Sequence, residues 1–377
     1  MAKICWFSDL DLIGSGYLNL SVPLCDGLTK RGHEVKISGL GYRGTQHDYN
    51  FSIIPAGNVG DGLGIIQNLY NLWHFDVLVV ALDIPLQLRI LQMMQNRPFK
   101  YVGIMPVEAG PLCLTWSIGL MQMDKRFIIS EFGRNECEKM GVSAEHIQVG
   151  IDTEAWRIPT QEEKLAIRKN LLGLDESHFV ILTVADNQER KNLSAGLKIV
   201  ADFIKNDHPN TKYIIVTREH NAVGWLLRDY AQELGINGNV MIFERGMDFK
   251  KLWSLYAASD VFFLPSKAEG LGLPLLEAMS VGLPCLGTNC TGIAEVLGDN
   301  RGTLVDYVHI YPECSYRDPF GVGMRYIIDP KDGIEKLEDV YHSISKNGVS
   351  TKPREWVETL KWDIAVDQLE KALLELK

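Results

Sequence analysis

Short apolar runs alternate along the chain with longer stretches whose apolar residues recur at helical spacing. Ile4 to Phe7, Glu34 to Ser38, Phe51 to Ile54, Val77 to Ala81, Tyr101 to Met105 and Phe127 to Ile129 read as buried strands. Leu18 to Lys30 reads as a helix ended by Arg31-Gly-His33. Glu131 to about Met140 reads as a second, capped by Ser130 and closed by Gly141. The polar, helix-prone run Thr160 to Leu172 interrupts the series. It restarts at Phe179 to Val184 and continues through Tyr213 to Val216, Val240 to Phe243, Val261 to Leu264 and Pro284 to Gly287. Strands alternating with helices predict an α/β fold of parallel sheets with crossover helices. Two such series in 377 residues predict two domains. The stretch from Asp306 to Gly323, rich in aromatics, Pro and Gly, reads as an irregular loop insertion, and Glu355 to Leu376 as one closing helix.

Composition narrows the class. Apolar residues make up 46% and charged residues 23%, as in an ordinary soluble globular protein. The sequence holds no uncharged apolar stretch of membrane-spanning length, and its start runs straight into a strand. These features predict a cytoplasmic protein with at most peripheral membrane contact. Seven scattered cysteines suit reduced thiols; Cys285 and Cys290 have no companion Cys or His at metal-ligand spacing. The net charge of −10 speaks against a broad nucleic-acid footprint, although contact with a modified nucleobase through a local basic groove stays open.

Residues 259–295 carry most of the chemistry: SDVFFLPSKAEGLGLPLLEAMSVGLP, then a Gly turn ending in Glu295. An apolar strand runs into a Gly loop that opens a helix carrying Glu269 and Glu277. The amides of Gly270, Leu271, Gly272 and Leu273 sit where a helix N-terminus holds an anionic phosphate. Glu277 is expected about 12 Å further along the helix axis than Glu269, at roughly 1.5 Å per residue. The two carboxylates could then serve opposite ends of a long, phosphate-bearing ligand. Two Glu at this spacing are by themselves a solvated helix face; the strand before them and the Gly turns around them favour a site. The segment resembles the E-x7-E signature of the retaining glycosyltransferases of family 4, the glycogen-synthase-like group 1 enzymes. Further likeness lies in His146 to Trp156, which resembles the phrase joining the two domains of these enzymes, and in Asp186 to Asn192.

The resemblance implies a GT-B architecture, two Rossmann-like doubly wound domains with an inter-domain cleft. Residues 1–155 would bind the acceptor and 156–354 the nucleotide sugar, with 355–377 crossing back to the first domain. The implied reaction transfers a sugar, with retention and without a metal or cofactor, from a nucleotide diphosphate sugar (UDP- or GDP-) to a saccharide, lipid-linked or other hydroxyl acceptor. Glu269 would bond sugar hydroxyls and Glu277 the ribose diol. Arg190 and Lys191 follow the first strand of the second domain, where adjacent cations stabilise charge on a leaving phosphate. Their plain alternative is a solvated pair, but helix starts disfavour cations, so a bound anion is the better reading. Lys191 matches the family's Lys; the family's Arg several residues earlier is absent, Asp186 lies near its place, and Arg190 takes over. Asn187 joins the donor-binding set, as do Gly14 and Gly16, whose loop borders donor and acceptor in relatives. Asp9-Leu-Asp11 is a chance likeness to a metal-binding D-x-D. Glu108 stands where many relatives carry a sugar-contacting His, so it contacts the sugar, meets the acceptor, or is a plain loop carboxylate. His33, His74 and His146 read as surface or capping residues. Two other functions fit the architecture: a nucleotide-sugar epimerase, and a non-catalytic sugar-nucleotide-binding protein.

Overall fold

The computed structural model describes residues 1–11, 15–221, 223–313 and 322–376. They form two compact units: Met1–Gly150 with Glu313–Gly323 and Leu360–Lys377, and Ile151–Pro312 with Met324–Thr359.

In the first unit seven strands form one parallel sheet: β1 (Lys3–Asp9), β2 (Glu34–Leu40), β3 (Ser52–Ala56), β4 (Val77–Ala81), β5 (Lys100–Met105), β6 (Lys125–Ile128) and β7 (Glu145–His146). Their order is β3-β2-β1-β4-β5-β6-β7, so the winding reverses between β1 and β4. That reversal opens a crevice at the carboxyl ends of these two strands, the usual ligand edge of such sheets. Every residue of β4, Val-Leu-Val-Val-Ala, is buried, as helices on both faces of a parallel sheet require. Hydroxyl groups tie a helix to the sheet. Ser21 Oγ on the helix Gly16–Lys30 donates to Ser8 Oγ (2.9 Å), which donates to the Ala81 carbonyl (2.8 Å).

The closing segment is two helices, Lys352–Val357 and Trp362–Glu375, where periodicity alone predicts one. The chain passes from the second unit to the first at this break. Thr359 closes the first helix by donating its hydroxyl to the Trp356 carbonyl (2.7 Å), and extended Lys361 starts the next. No Gly or Pro marks the break, so the pattern does not reveal it. The helix Trp362–Glu375 packs on Gly16–Lys30. A Cβ at Gly27 would lie 2.5 Å from Val366 Cγ2. Arg31 Nη1 meets Glu370 at 2.8 Å and Asp367 at 2.5 Å, and His33 Nε2 meets Glu370 at 2.9 Å. His33 is therefore buried and bonded within the first unit, not a surface residue.

In the second unit six strands form a parallel sheet: β8 (Phe179–Val184), β9 (Thr211–Thr217), β10 (Val240–Glu244), β11 (Val261–Leu264), β12 (Cys285–Thr288) and β13 (Thr303–Val305), ordered β10-β9-β8-β11-β12-β13. The winding here reverses between β8 and β11. Of the expected loop at 306–323, residues 314–321 lie outside the described ones, and the described part contains strand: β14 (Tyr307–Glu313) pairs with β15 (Gly323–Ile328). Its aromatic and β-branched residues suit a strand as well as a loop, and mostly exposed side chains hide the usual apolar pattern. Among the described residues no helix is long and apolar enough to cross a membrane.

Candidate active site

The site grows from the carboxyl end of β11. Leu264 leads into a buried loop, and the helix Leu273–Val281 starts only after Gly272, whose φ of 93° is left-handed. Pro274 follows in the first turn, where its missing N–H costs no helical bond. Glu269 thus lies in the loop and only Glu277 on the helix, so the expected separation along one helix axis does not hold. Two left-handed residues shape the neighbourhood: Gly272, and Thr291 with φ 43°. Thr291 Oγ1 accepts from the Glu269 amide (2.9 Å), and the Gly292 amide donates to the Glu269 carbonyl (3.0 Å). A Cβ on Gly292 would fall 2.6 Å from the Gly270 carbonyl oxygen, so only glycine fits. Among the described residues nothing accepts a hydrogen bond from the amides of Gly270, Leu271, Gly272 or Leu273.

Glu269 is buried and saturated with donors. Lys191 Nζ reaches both carboxylate oxygens (2.7 and 2.8 Å), Arg190 Nη1 reaches Oε2 (3.0 Å) and Ser266 Oγ reaches Oε1 (2.7 Å). Burial alone would raise its pKa. The Lys191 and Arg190 charges, with the bonds from Lys191 and Ser266, outweigh burial and bring the carboxyl down to about 2. The two cations come from the short 3-10 turn Glu189–Lys191 after β8. That turn is laced to the loop: the Lys267 amide donates to the Arg190 carbonyl (2.8 Å), and Arg190 Nη1 to the Ala268 carbonyl (2.7 Å). The Lys267 ammonium closes the arrangement on the Glu189 carboxylate.

Glu277 has the opposite surroundings. It is buried, and among the described residues its one hydrogen-bond donor is the Tyr256 hydroxyl, 2.6 Å from Oε2. Burial pushes its carboxyl up to about 7, and the tyrosine bond offsets only part of this.

Residues 166–309 match the family model described as glycosyl transferases group 1. The matched stretch lies within the second unit and holds Glu269, Glu277, Arg190 and Lys191. Among curated relatives, it is 27% identical over 180 residues to the Escherichia coli UDP-Gal:α-D-GlcNAc-diphosphoundecaprenol α-1,3-galactosyltransferase, covering 48% of this chain and 44% of that one. It is 29% identical over 150 residues to the lipopolysaccharide glucosyltransferase WaaG of Escherichia coli K12, covering 40% and 38%. The match thus spans less than half the length of these relatives. Among solved structures, sucrose-phosphate synthase from Thermosynechococcus elongatus superimposes with a TM-score of 0.77 at 14% identity, over 100% of this chain and 99% of that one. Anabaena HepE in complex with UDP-glucose gives 0.75 at 14% identity, over 100% of both. These likenesses show the fold, the GT-B pair of parallel-sheet α/β units.

Other expected residues lie nearby. Asn187 is fully buried, with its side chain spent on backbone: Nδ2 donates to the Glu219 and Trp225 carbonyls (3.2 and 2.8 Å), and Oδ1 accepts from the Trp225 amide (3.0 Å). It therefore orders the segment after β9. Asp186 draws in two arginines that sequence reasoning missed. Arg218 follows β9 and donates Nε to Asp186 Oδ1 (2.8 Å), while Arg245 follows β10 and lies 3.4 Å away. Burial would raise the Asp186 carboxyl; the Arg218 bond and the Arg245 and Arg218 charges lower it. The available signal was positional, since both arginines directly follow strands at the sheet's carboxyl edge.

In the first unit, Glu108 follows β5. Its charge, with those of Asp83 and Asp9, helps burial hold the Tyr17 phenol well above its ordinary pKa. The Tyr17 hydroxyl donates to Asp83 Oδ1 at 2.7 Å. Asp9, Asp83 and Glu108 thus gather near one tyrosine at the carboxyl edge of the sheet. Gly16 is the exposed first residue of its helix, and Gly14 lies outside the described residues. His74 caps the helix Val59–Trp73 with φ 49°, and His146 pairs with Glu131 at 3.1 Å. Among the described residues no group of three or more His, Cys, Asp or Glu side chains is placed to hold a metal ion.

Proposed function

We propose that this protein is a retaining glycosyltransferase that moves a sugar from a nucleotide diphosphate sugar to an acceptor hydroxyl. One observation supports this most: the two motif carboxylates are prepared for different partners. Glu269 is held ionised by two cations, next to a row of amides available to an anion. Glu277 is buried with a single donor, so its ionised form needs further hydrogen bonds, such as those of a vicinal diol. In this reading Glu277 takes the ribose hydroxyls, and the 270–273 amides with Arg190 and Lys191 take the diphosphate. Glu269, its acceptor positions taken by Lys191, Arg190 and Ser266, fixes the cations for that diphosphate instead of bonding sugar hydroxyls.

The bond from the anomeric carbon to the phosphate oxygen breaks and a bond to the acceptor oxygen forms on the same face. The acceptor's proton passes to the departing phosphate. The protein's contribution is positioning and electrostatic stabilisation of that phosphate. No cofactor or metal is required in this account. The donor is a UDP- or GDP-sugar, the acceptor a saccharide or lipid-linked hydroxyl as in the names of the relatives, and the setting cytoplasmic. Glu108 is assigned to contacts with sugar or acceptor.

A thermal-shift panel of UDP-, GDP-, ADP-, CMP- and dTDP-sugars, with and without EDTA, tests this reading. A ligand at about 100 times its Kd should add roughly 2.7 kcal/mol of stability. We expect a selective shift that survives EDTA, followed by sugar transfer from that donor in an acceptor screen. No shift with any nucleotide sugar would contradict the assignment, and a shift abolished by EDTA would contradict metal independence.

A further inference from the structure

A carboxylate that must seize two hydroxyls needs its own orientation fixed first. Glu277 has three side-chain torsions, and no ion pair among the described residues restrains it. What does restrain it comes from the neighbouring helix Phe249–Ala258, which carries Tyr256. The Tyr256 ring is fully buried. Trp156 meets it edge-on at 5.1 Å between centroids, and Phe262 stacks against it at 5.7 Å. Packing therefore sets the ring, and the ring sets where its hydroxyl points: at Glu277 Oε2, 2.6 Å away. A carboxylate offers about four lone-pair sites, so a bond to Oε2 leaves Oε1 to receive ligand hydroxyls.

We propose that Tyr256 is a positioning residue for donor recognition, holding Glu277 by Oε2 so that Oε1 faces the vicinal diol of the nucleotide's ribose. This rests on the reading of Glu277 as the ribose ligand. It adds a residue that lies outside the motif and touches no substrate. The contribution reaches the ribose through one hydrogen bond to a buried carboxylate. Removing that bond should loosen ribose selection while the aromatic stack stays filled.

The test uses Tyr256→Phe, which deletes the hydroxyl and keeps the ring. Binding of UDP and 2′-deoxy-UDP, or of GDP and 2′-deoxy-GDP, is measured by titration calorimetry at pH 8 on the full chain. The wild type should prefer the ribonucleotide by roughly tenfold or more, the scale of a hydrogen bond to a charged group. Tyr256→Phe should cut that preference several-fold, and Glu277→Gln should nearly abolish it. In the double variant, Tyr256→Phe should add nothing to Glu277→Gln, because the two act through one contact. Glu277→Asp withdraws the carboxylate from the phenol and gives an arm that does not depend on how Tyr256→Phe folds. It should lower the preference to the same level whether Tyr256 or Phe stands at 256. If Glu277→Gln weakens ribose selection while Tyr256→Phe leaves it intact, the inference about Tyr256 fails alone. If Glu277→Gln keeps the wild-type preference, the ribose reading fails and the inference with it.

Discussion

Glu269 and Glu277 belong to one short motif and are both buried, yet their surroundings drive them in opposite directions. Glu269 has two cations and a hydroxyl, and its carboxyl is brought to about 2; Glu277 has one phenol, and its carboxyl is raised to about 7. The first satisfies its charge within the fold. The second is left for something outside the fold to satisfy. A buried ionisable group short of partners costs stability, and its retention is a physical pointer to ligand binding.

Breaking the Glu269 arrangement should have the largest effect. Glu269→Ala leaves the half-buried Arg190 and Lys191 without their common counter-ion, a change expected to cost up to about 3 kcal/mol, the lower end for a broken buried pair. Urea denaturation should show that loss, and transfer should fall at least 100-fold. Because the folded Glu269 pKa is depressed, its stabilisation is present above about pH 4.5 and is lost as pH falls through about 2.

Glu277→Gln should sharpen the contrast with the opposite sign. The folded pKa of Glu277 is raised, so the folded state binds this proton more tightly and stability declines as pH rises from about 4.5 through about 7. The variant removes that penalty. Thermal denaturation should show it more stable at pH 8, on the order of 2 kcal/mol, and nearly unchanged at pH 5. Donor binding should weaken despite the gain.

Gly292→Ala tests the brace beneath Glu269. The added Cβ would fall 2.6 Å from a backbone oxygen that cannot swing away, and overpacking of this kind costs about 1–3 kcal/mol. Donor affinity should fall together with stability in a chemical denaturation series. Arg218→Ala should do least, since its side chain is 46% exposed and Arg245 remains on Asp186. A few-fold rise in donor KM with unchanged kcat is expected from steady-state kinetics, as for an ion pair whose cation is half exposed.

Much of this was legible in the sequence, because the motif is local and the strands are apolar on both faces. The Gly turns, Lys191 and the two glutamates stand in a row that positional reasoning can read. What the sequence hid are relations across the fold. Tyr256 and Glu277 meet because one helix crosses another. Arg218 and Arg245 meet Asp186 because β8, β9 and β10 are neighbours in the sheet. Glu269 looked helical until Gly272 took a left-handed conformation that delays the helix to Leu273. The break after Val357 carries no breaker residue, and the strand Tyr307–Glu313 has too few buried side chains to show its period.

Donor affinity measured against pH shows whether Glu277 waits for the donor. Whichever nucleotide sugar stabilises the protein should be titrated calorimetrically into wild type and Glu277→Gln between pH 5 and 9. Wild-type affinity should fall by up to tenfold per unit below about pH 7, with a weak, flat profile in the variant. A flat wild-type profile, or a variant that binds as the wild type does at every pH, would contradict it.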